Sequence, residues 1–175
     1  NSILLFAGTN DMLTESYVDE VIADFEEGDI LLNTTLAETN DWQQVDLPVM
    51  RTLRHFCIET LSSYTEDNQA CISEVDLLDD KGQPIDKTKW EVVYVSSEQA
   101  DKNLGIAENL FDGDISSFWH TDPATEPGQP HRIIVDIKEI YKISALRFKV
   151  RKGAFLSGKV KEINVYGRPQ FFLFH

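Results

Sequence analysis

The sequence predicts a mainly β protein: an antiparallel β-sandwich of jelly-roll type with a short N-terminal strand-helix-strand appendage. Three observations lead there. Beyond Asn33 no long stretch carries apolar residues at helical spacing. Short strand-like runs occupy 42–47, 53–61, 71–78, 90–95, 132–137, 143–150 and 160–166, with polar turn clusters between them. Leu146, Phe148 and Val150 alternate with Arg147, Lys149 and Arg151, so one face of that strand is apolar and the other cationic. Many short strands with this punctuation are the sequence form of a sandwich or jelly roll.

The beginning of the chain follows another grammar. Ile3, Leu4, Leu5 and Phe6 form a short apolar run that suits a buried strand. Gly8 to Asp11 break it, and Thr14 is placed to cap a helix. Val18, Val21, Ile22 and Phe25 keep helical spacing, and Gly28 ends the helix. Ile30, Leu31 and Leu32 read as a second buried strand. The boundary falls between Asn33 and Trp42: residues 1–40 form an N-terminal α/β segment and 41–175 the sandwich. The turn signals inside the sandwich are Asp79-Asp80-Lys81-Gly82 and the stretch 123–130.

Composition narrows the function. The 175 residues carry a net charge of -14, which opposes nucleic acid and anionic membrane surfaces. No apolar run approaches the roughly 20 residues of a membrane-spanning helix. The start lacks the basic and long apolar regions of a signal peptide. Cys57 and Cys71 permit one disulfide or two buried thiols. His55, His120, His131 and His175 are dispersed, and no HExxH, GxSxG or Walker pattern occurs. The chain therefore reads as a binder or a scaffold rather than an enzyme. Asn33-Thr34-Thr35 fits N-x-T, a frequent chance match, and the apolar tail 171–174 reads as a final strand or a docked tail.

One turn has the chemistry of a cation site. Asp112-Gly113-Asp114 sets two carboxylates around a residue that permits a tight bend. Hard oxygen ligands on a bent loop suit Ca²⁺, which takes about 6–8 of them.

The stretch 54–167 resembles the discoidin, or coagulation-factor type C, family of galactose-binding-like jelly rolls. The likeness is carried by 72–78, by 90–98, and above all by the run Ala107-Glu108-Asn109-Leu110-Phe111-Asp112-Gly113-Asp114-Ile115-Ser116-Ser117-Phe118-Trp119-His120-Thr121. It continues through 130–137, 141–144 and 160–163 in family order. The resemblance implies a non-catalytic carbohydrate-binding module with a structural calcium ion on Asp112, Asp114, Ser117 and Glu162. It implies a glycan or other small polar ligand held by loops at one end, and an extracellular or cell-surface setting. Candidate ligand-binding residues are Trp119, His120, His131, Arg151, Lys152 and Phe155. Trp119 also reads as a core residue beneath those loops. Expected partners are a catalytic domain in a longer parent or a partner subunit. The alternative is a scaffold or protein-interaction domain, natural or chimeric, with no retained sugar. Residues 1–32 resemble an internal strand-helix-strand of the ribokinase family, without that family's anion hole or aspartate base.

Overall fold

The computed structural model describes residues 29–65, 67–124, 128–150 and 158–169. The expected strand at 3–6, the helix after Thr14 and the apolar tail lie outside them. Eight strands follow in order: β1 (Ile30–Thr35), β2 (Gln43–Thr60), β3 (Cys71–Ile72), β4 (Glu74–Asp79), β5 (Glu91–Val95), β6 (Trp119–His120), β7 (His131–Lys149) and β8 (Glu162–Arg168). Two 3₁₀ turns, Asp101–Asn103 and Ala107–Phe111, lie between β5 and β6. Every described strand pairing is antiparallel. The fold is a mainly antiparallel β-sandwich. None of the described helices is long and apolar enough to cross a membrane.

The sandwich is built on one long ribbon. β2 and β7 pair from Gln43 opposite Phe148 to Thr60 opposite His131, with irregularities at Asp46/Arg51 and Leu53/His55. Opposite that break, Lys138 takes a left-handed φ of 72°. The ribbon bends there and contributes to two layers. Its 55–60/131–136 half lies with β1, β8 and β5. Its 43–46/143–149 half lies with β4. Inward residues of both halves, including Phe56, Ile58, Ile133, Val135, Leu146 and Phe148, join one core. The bend therefore marks a closed end, and His131, Thr60, Glu74 and Lys149 mark the open one.

Two differences from the sequence reading follow. The runs at 42–47 and 53–61 are one strand, as are those at 132–137 and 143–150. Bulges interrupt the period-two pattern without ending the ladder, so local reading splits them. The segment 30–35, read as part of the N-terminal α/β segment, also joins the sandwich. It pairs with β8, and Leu31, Leu32 and Leu36 pack into the sandwich core. Cys57 and Cys71 are both buried, and no disulfide joins them.

Candidate functional site

Loops at the open end are fastened to one another by polar contacts. The Asp67 carboxylate accepts from Thr65 Oγ1 at 2.9 Å, Gln69 N–H at 3.2 Å and Gly158 N–H at 3.1 Å. The Cys71 N–H donates to the Gly158 carbonyl at 2.8 Å, and Thr121 N–H to Ala70 at 3.0 Å. Gly158 has φ +76°, and a Cβ there would stand 3.0 Å from the Ala70 carbonyl carbon. No larger residue fits that crossing without displacing backbone. Irregular segments held this way form a rigid rim.

Beneath the rim sit three residues that the sequence reading offered to a ligand. Trp119 is fully buried, and its indole N–H donates to the Ser97 carbonyl at 2.9 Å. His120 is 3% exposed and its Nδ1 lies 2.5 Å from the Thr121 carbonyl. His131 is 0% exposed, with Nε2 2.6 Å from the Asn68 carbonyl and Nδ1 buried without a partner. Burial holds the His131 imidazole below its ordinary pKa, against the pull of the Asn68 bond. His120 and His131, named as ligand-binding candidates, are thus both buried. β6 pairs with β3, and His131 opens β7 against Thr60, so both rings face loop backbone rather than water. Arg151, Lys152 and Phe155 lie outside the described residues.

The acidic turn is built as its sequence suggests. Gly113 has φ +79°, a conformation that side chains resist. Asp112 Oδ1 accepts the Asp114 N–H at 2.9 Å, and Asp112 Oδ2 accepts Ser117 Oγ at 2.5 Å. Ser117 Oγ also lies 2.9 Å from the Asp114 carbonyl. The donor set is all oxygen, which fits a hard cation, but it falls short of the roughly six that Ca²⁺ takes. Glu162, the fourth expected ligand, is on β8 opposite Thr35. Among the described residues no group of three or more His, Cys, Asp or Glu side chains is gathered at metal-binding spacing.

The turn rests instead on Glu74, a residue the sequence reading passed over. Its carboxylate, 1% exposed, accepts the Gly113 N–H at 3.2 Å and pairs with Lys87. Lys87 also donates to Asp76 Oδ1 at 2.6 Å, and Arg147 to Asp76 Oδ2 at 2.6 Å. A signal was present. Glu74 and Asp76 alternate with Val75 and Leu77, and they face the cationic Lys149 and Arg147 across the β4–β7 pair.

Burial raises the Glu74 carboxyl to about 7, despite the Lys87 hydrogen bond and charge, and nearby Asp112 adds to the rise. A carboxyl whose folded pKa exceeds its unfolded value costs stability once it must ionise. That cost is absent below about pH 4.5 and complete above about pH 7. Glu74→Gln is expected to gain on the wild type across this window, by up to about 3 kcal/mol. Urea midpoints at pH 5 and pH 8 measure it. The difference between the two proteins is the quantity to read, because neutral buried His131 gives the opposite trend.

This geometry defines an antiparallel jelly-roll module with interlocked end loops. Residues 92–170 match the F5/8 type C domain family. A sialidase from Micromonospora viridifaciens is 33% identical over 84 residues, covering 47% of this chain and 13% of that protein. The matched part is thus a small fraction of the relative's length.

Proposed function

We propose that the chain is a non-catalytic carbohydrate-binding module that takes a glycan at its open end. The observation that carries this is the rim itself. Loops from separate strands are cross-linked at Asp67, Ala70, Gly158 and Thr121, and of these Thr121 and Gly158 lie in the stretch that matches the F5/8 type C family. The similarity to a sialidase supports the same reading, with the module serving a catalytic domain in a longer protein. Arg151, Lys152 and Phe155 are the ligand-contacting candidates, a donor fork, an ammonium and an aromatic face for a pyranose. Trp119, His120 and His131 act from below by fixing the loops. Calcium is proposed on Asp112, Asp114 and Ser117, supported by their convergent oxygens.

Isothermal titration with galactose, N-acetylglucosamine and lactose tests the reading, with and without chelator. The expected Kd is on the order of 1 mM, equivalent to about 4 kcal/mol. Phe155→Ala should abolish the heat without changing the melting temperature. Silence across the panel would leave a scaffold. A melting temperature indifferent to chelator would remove the calcium, since a bound ion stabilises by mass action.

A further inference from the structure

The outer face of the β2–β7–β4 layer offers a different kind of surface. Val45, Leu146 and Phe148 turn toward the core, so Gln44, Arg147 and Lys149 stand on the opposite side. Gln44 pairs with Arg147, and the same register continued outward brings Trp42 level with Lys149. Trp42 is 37% exposed, whereas Trp90 and Trp119, the remaining tryptophans, are 6% and 0% exposed. The Arg147 guanidinium carbon lies 4.9 Å from the Trp42 ring centroid, and Asp76 fixes that guanidinium from behind. Lys149 Nζ donates to the Asn40 carbonyl, which draws the ammonium toward the segment that carries Trp42.

An aromatic plane flanked by two cations is unexpected on a chain of net charge -14. Of the acidic groups around it, Glu74, opposite Lys149, is paired with Lys87. Asp76 is shared between Lys87 and Arg147. Asp46 accepts the Gln44 amide and lies four residues along β2, about 13 Å from Trp42 at strand spacing. Asp41 precedes Trp42 outside the strand, and its backbone N–H is bound to Thr39 Oγ1. A sugar ring has an apolar face that stacks on indole, and a carboxylate on that ring gains charge-assisted hydrogen bonds from guanidinium and ammonium. We propose that Trp42, Arg147 and Lys149 form a binding site for a carboxylate-bearing pyranose on the sheet face. This site uses none of the loops fastened at Asp67, Ala70, Thr121 and Gly158, and it is independent of the reading above.

Fluorescence quenching tests it directly, because Trp42 is the exposed member of the three tryptophans. Trigalacturonate and 3'-sialyllactose represent two sources of the carboxylated ring, and lactose is the neutral comparison. At about 10 mM, a concentration suited to weak sugar sites, at least one acidic sugar should shield Trp42 from acrylamide while lactose does not. The sugar that shields it names the source. By calorimetry, Trp42→Ala should abolish acidic-sugar binding, and Lys149→Ala should weaken it about three- to five-fold, the worth of an exposed ion pair. Both variants should retain the wild-type melting temperature within about 1 °C, as surface changes generally do. No shielding by either acidic sugar overturns the proposal, and so does equal shielding by lactose. Acidic-sugar binding that survives Trp42→Ala overturns it too and moves the ligand to the loops. Loss of neutral-sugar binding in Phe155→Ala bears on the loop site alone.

Discussion

Trp119→Ala is expected to destabilise the protein by about 3–5 kcal/mol, the range for emptying a large aromatic site. Trp119 is fully buried, and its ring belongs to the core that both layers share. Two losses combine. The cavity left behind cannot collapse easily, since the adjoining β6–β3 pair holds Ile72 and Cys71 in register with Trp119 and His120. The Ser97 carbonyl loses its indole donor as well. Such a loss is a large part of the total stability of a domain this size. Chemical denaturation should show a much lower midpoint, and Trp119→Phe should recover part of the difference. A midpoint near that of the wild type in Trp119→Ala would show that the residue faces a space already open to water.

Asp136→Ala is expected to cost about 2–3 kcal/mol, by taking a buried charged acceptor away from Arg54 and the Lys138 N–H. Asp136 is 6% exposed at the closed end. Arg54 grips it with two bonds, Nε to Oδ1 at 3.0 Å and Nη2 to Oδ2 at 3.1 Å. The Lys138 N–H adds a third at 2.8 Å, and His55 Nε2 stands 3.7 Å from Oδ2. Burial alone would raise this carboxyl. The bonds from His55 and Arg54 outweigh it and hold the carboxyl well below the usual range. A depressed carboxylate stabilises the fold above its unfolded pKa, near 4, and loses that contribution as pH falls toward its folded value. The wild-type melting temperature should therefore drop steeply below about pH 4, and that of Asp136→Asn less steeply. Parallel acid profiles for the two proteins would show that the network contributes no net ionisation energy.

Some of this was readable from residue order, and the reasons are local ones. Alternation along 146–150 placed Leu146, Phe148 and Val150 inside, as they are. The Asp112-Gly113-Asp114 triplet gave its bend, because a glycine with φ +79° between two turn-capping carboxylates encodes its own geometry. What escaped was pairing over long distances. β1 belongs to the sandwich through β8, more than a hundred residues away, and its apolar run suits either architecture. The continuity of β2 and β7 was hidden because a bulge looks like a strand end in one dimension. His120 and His131 read as ligand-binding candidates because a histidine beside a loop signal suits a ligand site as well as a loop-packing one. Only the carbonyls of Thr121 and Asn68, brought in by tertiary structure, decide between them.

The pairing of β1 with β8 also fixes where the module can be attached. Ile30 lies opposite Tyr166, Arg168 lies opposite His55, and Asp29 is joined to Arg168 at 2.6 Å. The polypeptide thus enters and leaves the sandwich side by side, as a single stem on the end remote from Trp119 and the acidic turn. Tension applied at the outer end of either strand would therefore load the same Asp29–Arg168 pair first.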